Sequence, residues 1–532
     1  MAKITSIEYF RVPPRWLFVK ITDEHGNGGW GEASLEGHTQ AVEGCLDAWR
    51  TRYTGLEADE IEQIWQLSWR AGFYRGGPVF MSALAGIDIA LWDLKARKLG
   101  VPIYQLLGGK VRDKLKVYAW IGGDRPGDVE EQALARKSQG FDAVKMNATE
   151  SLGWLDSPAA LDSCVDRLKA VKALGMDAGV DFHGRVHKPM AKQLAKALEP
   201  HRPLFIEEPC LSEHIDAISS LAKQTSIPIA LGERLHSRWD IRPFLEAGCV
   251  DILQPDISHV GGISEMRRIA TACETYDVAL APHCPLGPIA LAACVQVDAV
   301  SANFAIQEMS LGIHYNVGGR DLTSYTLNPE VWKVDDGYIE LPSGPGLGIE
   351  IDEEEVRRVA EGAVPWVSPS FVGPGAGISV AIAKPLELLV NDAAACVVPR
   401  PLPLVPELVL NPISVPINIV VKPLALYKPI VPPLPLPPST VVKASTPPSP
   451  VPVTTLDAPS IPPTPAAPFN SPTLLSRLAI FAEYCVGTAE IHSGIVDAVR
   501  AEARRDATSP VSVCCGGGGE RGVDGGRDVE GD

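Results

Sequence analysis

Apolar and polar positions alternate along the first 34 residues of the chain. Residues 3–12 and 17–34 repeat with a period of two, which is typical of half-buried strands, and the polar stretch 25–28 predicts a hairpin turn. Three helical patterns follow, and the clearest spans Pro78 to Leu99, where apolar residues recur every three or four positions. Residues 1 to about 115 are therefore predicted to form a small α+β domain.

A different rhythm begins at Val117, where short apolar runs alternate with helical segments. Eight such runs occur: VYAWIG, DAVKMN, DAGVDFHG, PLFIEEP, IPIALGE, VDILQPD, VALAPHC and NFAIQE. Repeated strand–helix units of this number favour a parallel (β/α) barrel over an open sheet, with either eight complete units or a missing or modified last unit. Residues 116–330 are assigned to this barrel.

The chain leaves this rhythm after residue 330. Residues 331–383 include GLGIEIDEEEVRRVAEG, which predicts a last strand and a helix that pack back on the first domain. From residue 384 to 532 proline becomes dense, and the chain ends in a glycine-rich run. Because proline removes a backbone donor, this segment is predicted to be a mostly disordered tail, with 471–504 as a candidate amphipathic helix.

Composition narrows the classes of partner. The formal net charge of −17 over 532 residues argues against nucleic acid, because binding a polyanion requires a surface rich in Lys and Arg. No run of about 20 uninterrupted apolar residues occurs, so no membrane-spanning helix is expected. The 11 cysteines form no C-x-x-C pair, and the N-terminus lacks a signal-peptide pattern. A cytoplasmic location is therefore expected.

One ionisable residue closes each of the last six predicted strands. Consecutive members of this set lie 23 to 27 residues apart: Asp181, Glu207, Glu233, Asp256, His283 and Glu308. The carboxyl ends of parallel barrel strands meet at one mouth, where converging carboxylates repel unless a hard divalent cation neutralises them. Asp181, Glu207 and Glu233 are therefore the candidate Mg²⁺ ligands. Adjacent residues of a strand face opposite sides, so Glu208 is expected to point away from the mouth.

Strand pleating places further side chains at the same mouth. Residues two positions apart point to the same face of a strand, so His183 is expected beside Asp181. By the same argument Lys145 and Asn147 lie together at the end of the second strand, and both are candidate substrate-binding residues.

Each of these residues also has a purely structural explanation. Asp256 is a possible helix cap before the following glycine pair, and His283 is a possible hydrogen-bonded core histidine. The joint periodicity of the set favours a functional site. Cys284 has neither a matched base nor an oxyanion loop in the sequence, so it is not expected to be a nucleophile. The other histidines, among them His236 and His259, are expected to face solvent.

Ten segments resemble one known family between residue 3 and about residue 375. They are PPRWLFVKI, RAGFYRGGP, SALAGIDIALWDLK, QLLGGKVRDKLKVYAWIGGDRP, GVDFHGR, RPLFIEEP, LGERLHSR, ILQPDISHVGG, APHCPLGPIALAAC and QEMSLGIHYN. These motifs resemble the galactonate dehydratases, in the mandelate-racemase-like branch of the enolase superfamily. The resemblance implies an α/β fold with a modified (β/α) TIM-type barrel and an N-terminal α+β capping domain, followed here by the proline-rich tail.

The same resemblance implies a chemistry. The expected reaction is loss of water from D-galactonate to give 2-dehydro-3-deoxy-D-galactonate, with one Mg²⁺ per subunit held by Asp181, Glu207 and Glu233. At matching positions His283 is implied as the base and His183 as the acid that assists loss of the 3-hydroxyl. Asp256 would orient His283, and Glu308 would bond the developing enediolate. Asn147 stands where relatives with a Lys-x-Lys motif carry a lysine base, which leaves His283 in that role.

Other functions stay open at this point. They are dehydration of another aldonic acid, racemisation or epimerisation of a 2-hydroxy acid by His183 and His283, and a non-catalytic scaffold. The resemblance implies a homo-oligomer that takes an aldonic acid as its small-molecule substrate. Segments at Arg15-Trp16 and Arg75-Gly76-Gly77 are expected to lie over the mouth as specificity loops. The tail is either an arm for polyproline-recognising modules or a gene-model artefact.

Overall fold

The structure describes the two predicted folded regions, with short gaps, up to residue 367. It is a computed structural model that describes residues 2–70, 72–122, 126–149, 152–313, 316 and 319–367. The predicted tail, its candidate helix and its candidate partners lie outside the described residues. Within the described ranges, no helix combines the length and the apolarity that a bilayer crossing requires.

The first domain is built on a three-stranded antiparallel sheet. Its strands, in the order β1-β2-β3, are β1 (Ile4–Val12), β2 (Trp16–Asp23) and β3 (Gly28–Glu32). The alternation in the sequence predicted these strands and the turn between β2 and β3. Trp16 and Phe18 of β2 join the core shared with the barrel, whereas Leu17 and Val19 join a second core with the domain's own helices. Both faces of β2 are therefore covered.

Among the described residues, four helices lie between this sheet and the first strand of the barrel. They are α1 (Thr39–Tyr53), α2 (Ile61–Arg70), α3 (Pro78–Leu99) and α4 (Ile103–Leu106). Helix α3 has the bounds that the sequence predicted, and it ends before Gly100, whose φ of 68° is left-handed. A Cβ at Gly31 would lie 2.0 Å from the carbonyl oxygen of Gly86, so α3 packs on β3 at a distance that only glycine permits.

Eight parallel strands form the barrel. They are β4 (Lys114–Ile121), β5 (Ala143–Asn147), β6 (Asp177–Asp181), β7 (Ile206–Glu207), β8 (Ile229–Leu231), β9 (Ile252–Leu253), β10 (Ala279–Leu280) and β11 (Gln307–Met309). They are hydrogen-bonded in the order β10-β9-β8-β7-β6-β5-β4-β11. A parallel bridge between Leu280 and Phe304, just before β11, joins the two ends of this order. The prediction of eight barrel strands is confirmed.

In the described ranges, seven helices connect consecutive barrel strands. They are α5 (Pro126–Ser138), α6 (Asp162–Ala173), α7 (Lys188–Leu198), α8 (Ile215–Ala222), α9 (Arg238–Ala247), α10 (Gly262–Thr275) and α11 (Pro288–Asp298). Short 3₁₀ helices lie at Pro158–Leu161, Glu199–His201 and Pro329–Trp332. After β11 the chain forms β12 (Tyr338–Glu340) and α12 (Glu353–Ala360) instead of an eighth unit of the same kind. The barrel therefore has a modified last unit.

The last described segment connects both domains. Strand β12 pairs antiparallel with β4 of the barrel, so the strand expected within 346–352 was placed wrongly. Helix α12 forms in the predicted place and contacts β1 and β2: Arg357 pairs with Glu8 at 3.0 Å and Lys20 with Glu353 at 2.6 Å. The domain boundaries at residues 115, 330 and 383 stay predictions.

Apolar side chains fill the barrel interior. They are Tyr118, Ala143, Phe205, Ala230, Ala281 and Ile306. Gly179 of β6 makes room for them, because a Cβ there would lie 2.5 Å from the ring of Phe205. The barrel is therefore a packed core, and the polar ends of its strands form the floor of a separate cavity.

Candidate active site

Three carboxylates converge at the C-terminal ends of β6, β7 and β8. Asp181 and Glu207 are the last residues of β6 and β7, and Glu233 follows β8. One oxygen of each lies within 4.8 Å of the others, a spacing suited to a metal ion. The convergence that the sequence spacing predicted is present in the fold.

The three carboxylates differ in their electrostatic environment. Burial raises the pKa of Asp181 to about 6, and burial together with the charge of Asp181 raises the pKa of Glu207 to about 8. Burial favours a raised pKa at Glu233 as well, but the positive charge of His283 and its hydrogen bond to Glu233 outweigh burial and hold this pKa well below its usual value. At neutral pH Glu207 therefore resists ionisation until further positive charge is supplied, whereas Asp181 only ionises less readily than an exposed carboxyl.

A buried lysine partly neutralises the cluster. Lys145 Nζ lies 2.8 Å from Glu207 Oε1 and 3.0 Å from Glu308 Oε1. Burial works against the charged lysine, but the surrounding carboxylates raise its pKa well above the usual value. Asp181 Oδ2 is buried, lies 3.4 Å from Lys145 Nζ and 3.1 Å from His183 Nε2, and accepts no well-aligned hydrogen bond from the described part of the chain. An all-oxygen donor set with excess negative charge fits a hard divalent cation.

His283 lies between two carboxylates. Its Nδ1 is 2.8 Å from Asp256 Oδ2, and its Nε2 is 2.9 Å from Glu233 Oε2. Burial favours a lower pKa, but the charges of Glu233 and Glu308 raise the pKa of His283 well above its usual value. A parallel β-bridge also joins Asp256 and His283, so strand pairing holds the two residues side by side.

His183 contacts Asp181, a different member of the cluster from the one that His283 contacts. Its Nε2 lies 3.1 Å from Asp181 Oδ2, and its backbone N–H donates to Asp181 Oδ1 at 2.7 Å. The expected proximity is present, but strand pleating is not its cause. Strand β6 ends at Asp181, and His183 has a φ of 51°, so a left-handed turn brings the ring back over the carboxylate. Burial lowers the pKa of His183 to about 4, which keeps the ring neutral in the free site.

Glu207 and Glu208 are both buried but face different partners. Glu207 joins the cluster, and its Oε2 accepts from Gln254 Nε2 at 2.7 Å. Glu208 has a φ of 39°, and its carboxylate accepts from Ser212 Oγ at 3.0 Å and lies 3.4 Å from Arg234 NH1. A left-handed turn ends the pleat there, so Glu208 bonds Ser212 and Arg234 of the cavity wall, while Glu208 itself is not among the described residues that line the cavity.

Lys145 and Asn147 end β5 in different surroundings. Lys145 lies inside the carboxylate cluster and lines the cavity. Asn147 is partly buried and is not one of the described residues that line the cavity. Its Oδ1 is buried without a hydrogen-bond donor among the residues that the structure describes. The geometry therefore supports substrate contact more directly for Lys145.

A cavity of about 800 Å³ adjoins the cluster and is partly lined by the first domain. Arg75 and Gly76 of the second predicted specificity segment line a separate pocket, whereas Gly77 and Arg15 line this cavity. Trp16 does not, because it is fully buried and its ring packs against Phe18 and Tyr325. The expectation for Trp16 was wrong because an alternating strand sends neighbouring side chains to opposite faces, and both faces of β2 are covered.

Two histidines that were expected to face solvent lie in the cavity wall. His259 is buried, with Ser82 Oγ 3.1 Å from Nδ1 and Glu36 Oε2 3.6 Å from Nε2. His236 also lines the cavity, and burial lowers its pKa to about 4. The only sequence signal for His259 is its position three residues after Asp256, whereas Glu36 belongs to another domain and carried no signal.

Comparisons with known proteins agree with one another. Residues 12–108 match the N-terminal domain of the mandelate racemase / muconate lactonizing enzyme family, and residues 128–356 match its enolase C-terminal domain-like part. The chain is 51% identical over 370 residues to the D-galactonate dehydratase of Ralstonia pickettii (strain 12J), a match spanning 69% of this chain and 97% of that protein. It is 50% identical, with the same coverage, to the D-galactonate dehydratase of Variovorax paradoxus (strain S110).

Solved structures match the same part of the chain. An enolase from Agrobacterium radiobacter, described as a putative galactarate dehydratase with bound Na and L-malate, is 33% identical with a TM-score of 0.63, and the match covers 69% of this chain and 97% of that one. An enolase from Pantoea ananatis with bound D-gluconate and Mg is 29% identical with a TM-score of 0.60, covering 68% and 95%.

Proposed function

The chain belongs to the mandelate racemase / muconate lactonizing enzyme family, and on this basis we propose that it dehydrates D-galactonate to 2-dehydro-3-deoxy-D-galactonate. The substrate rests on two relatives, 51% and 50% identical over 370 residues, that carry the name D-galactonate dehydratase. The observation that supports the chemistry is a cluster of three carboxylates, suited to a metal ion, in which two members each contact a histidine ring. His283 Nε2 lies 2.9 Å from Glu233, and His183 Nε2 lies 3.1 Å from Asp181.

Asp181, Glu207 and Glu233 are the proposed ligands of one Mg²⁺ per subunit. Their oxygens lie within 4.8 Å of one another, and burial raises the pKa of Asp181 and Glu207, so a bound cation would favour the ionised forms of both. When bound there, Mg²⁺ would supply the positive charge that stabilises the substrate carboxylate while the neighbouring proton leaves. The Pantoea ananatis structure carries bound Mg in a related fold, which supports this choice of metal.

His283 is the proposed base for the proton next to the substrate carboxylate. In the proposed tautomer Nδ1–H donates a hydrogen bond to Asp256, which leaves the lone pair of Nε2 for the substrate. In the free site Nε2 faces Glu233 at 2.9 Å, and this pairing favours a protonated ring. If Glu233 were engaged as a metal ligand, it would no longer stabilise the protonated ring. His283 would then be neutral and able to act as the base.

His183 is the proposed acid that protonates the leaving 3-hydroxyl. Burial keeps the pKa of His183 low in the free site. The negative charge of a carboxylate substrate beside the ring would raise that pKa, so that the ring becomes protonated. Glu308 lines the same cavity, and its carboxyl group, in the neutral form, is proposed to donate a hydrogen bond to the substrate oxygens as negative charge develops on them. Lys145 is the proposed contact for the substrate carboxylate, and Asn147 keeps the weaker proposal of a binding role.

Another aldonic acid is the second candidate substrate. The Pantoea ananatis enolase holds D-gluconate, an aldonic acid that differs from galactonate in the configuration of its hydroxyls. Racemisation or epimerisation would also use an imidazole at each end of the cluster, but it returns a hydroxy acid. Formation of a keto acid therefore distinguishes dehydration from racemisation and from epimerisation.

The deciding experiment is a keto-acid assay of the full-length chain with a panel of aldonic acids, in Mg²⁺ and in EDTA. We expect galactonate to give keto acid only with Mg²⁺, and His283→Asn to abolish it. His214→Asn changes an exposed histidine at the start of α8 and serves as the matched control. Turnover of another aldonate alone would replace the substrate, and an epimerised hydroxy acid without keto acid would replace the reaction.

A further inference from the structure

Residues 283–287, here called the base segment, lie between β10 and α11 and begin with His283. Two side chains from the end of the barrel hold the backbone of this segment. Glu308 Oε2 accepts from the N–H of Cys284 at 2.9 Å, and Ser310 Oγ donates to the carbonyl of Leu286 at 2.7 Å. These contacts fix the base segment relative to β11.

Two side chains from the capping domain hold the remaining positions of the base segment. Arg15 NH2 donates to the carbonyl of Pro285 at 2.9 Å. Glu32 Oε1 accepts from the N–H of Gly287 at 2.8 Å, and its Oε2 accepts from the N–H of Ala290 in the first turn of α11 at 2.9 Å. The residues that follow His283 are thus held alternately by the barrel and by the capping domain.

Glu32 is built into this contact with little freedom. The residue is fully buried at the end of β3, and Ser34 Oγ donates to its Oε1 at 2.8 Å. A Cβ at Gly287 would lie 2.7 Å from Glu32 Oε2, so the sequence leaves room for this approach only with glycine there. A carboxylate acceptor at the N-terminus of a helix is also favoured by the helix dipole.

We infer that Arg15 and Glu32 are positioning residues that set the place of the His283 ring from the capping domain. The inference rests on the proposed role of His283 as base. Asp256 orients the ring, but it does not determine where the backbone that carries the ring stands. Because a displacement of about 1 Å at a reacting group can lower a rate roughly a hundredfold, a hold on this backbone affects proton removal directly.

Glu32 is the better residue to change, because Arg15 also lines the cavity and would confound binding with positioning. Glu32→Ala removes both side-chain oxygens that accept from the backbone N–H groups of Gly287 and Ala290. Glu32→Gln keeps one of these acceptor oxygens. Asp93→Asn is the matched control, since Asp93 is another fully buried carboxylate that accepts two backbone N–H groups, those of Trp30 and Leu347, both at 2.9 Å.

The kinetic test compares kcat, KM and the isotope effect with galactonate deuterated at C2, using the full-length chain. We expect Glu32→Ala to lower kcat roughly a hundredfold, Glu32→Gln to lower it less, and KM to change little. The isotope effect on kcat should rise, because proton removal becomes the slow step. Asp93→Asn should change neither kcat nor the isotope effect at a temperature where it is folded. A loss confined to KM, or an equal loss in the control, would overturn the inference.

Amide hydrogen exchange of residues 284–290 tests the structural part without relying on turnover. Glu32→Ala should speed exchange in this stretch, and Asp93→Asn should not. Unchanged exchange in Glu32→Ala would overturn the inference, as would faster exchange with an unchanged kcat. If the wild-type chain dehydrates no aldonic acid, the proposed function fails, and the exchange result then decides alone whether Glu32 holds the base segment.

Discussion

His283 Nδ1 lies 2.8 Å from Asp256 Oδ2, and the β-bridge between the two residues makes this contact part of the barrel wall. We expect Asp256→Asn to lower kcat by about a hundredfold to ten-thousandfold, because an amide can donate to Nδ1 and thereby stabilise the tautomer that has no lone pair on Nε2. The asparagine oxygen can still accept from the N–H of Ser258, now bonded to Asp256 Oδ1 at 2.7 Å. Steady-state kinetics should show the loss of activity, and a denaturant unfolding curve, as the control, should show no loss of stability.

The two proposed histidine roles predict different partial reactions. His183→Asn should still exchange the C2 proton of galactonate with D₂O, because His283 can remove it, but should release little keto acid. His283→Asn should do neither. Proton NMR of the substrate in D₂O measures the exchange, and the keto-acid assay measures the elimination. Exchange lost in His183→Asn and kept in His283→Asn would reverse the two assignments.

Glu207 and Glu208 provide a matched pair for testing the metal site. Glu207→Gln removes a member of the cluster, whereas Glu208 bonds Ser212 outside it. At an Mg²⁺ concentration a hundred times the dissociation constant, binding stabilises the folded state by about 2.7 kcal/mol. We expect Mg²⁺ to raise the Tm of the wild type and of Glu208→Gln, and not that of Glu207→Gln. Equal losses in both variants would contradict the ligand assignment.

Asp88 predicts a pH dependence of stability away from the active site. Burial raises its pKa from 3.8 to about 7, although the N–H of Ser264 donates to Oδ2 at 3.0 Å. The folded state holds the Asp88 proton more tightly than the unfolded state does. The resulting contribution to the free energy of unfolding is therefore fully present below pH 3.8 and is lost as pH rises through about 7. Asp88→Asn should remove this loss, which is of the order of a few kcal/mol.

The measurement for Asp88 is the free energy of unfolding in urea at pH 5 and pH 8. The decrease between the two pH values should be smaller in Asp88→Asn than in the wild type. Asp166→Asn changes an exposed carboxylate on α6 and should leave the wild-type decrease unchanged. A decrease of the same size in Asp88→Asn would show that Asp88 ionises equally in both states.

Trp16 and Trp366 should separate stability from substrate binding. Trp16 is fully buried between Phe18 and Tyr325, so Trp16→Ala should cost about 3–5 kcal/mol of unfolding free energy and leave KM unchanged in the folded protein. Trp366 lines the cavity beside Arg15, so Trp366→Ala should raise KM at a smaller cost in stability. Denaturant unfolding and steady-state kinetics check both expectations. A raised KM in Trp16→Ala would place this ring at the substrate.

Local pattern was sufficient for most elements of the fold. The period of two in residues 3–34 and the helical period from Pro78 to Leu99 predicted the sheet and α3, because each repeat reflects which side of one element is buried. The strand near residue 350 was misplaced, since Ile349 and Ile351 are buried by neighbouring segments without forming a strand. A short apolar run does not reveal whether a partner strand is available.

The regular spacing of acidic and histidine residues determined the composition of the cluster, because parallel barrel strands deliver their last residues to one mouth. The sequence by itself thus established the barrel, the capping domain, and the set that includes Asp181, Glu207 and Glu233. Only the tertiary structure decided where the chain turns out of its strand, as at His183 and Glu208, since a left-handed φ cannot be inferred from strand periodicity. Contacts between distant segments, such as Glu32 with the base segment, depend on how two domains pack, which no local pattern records.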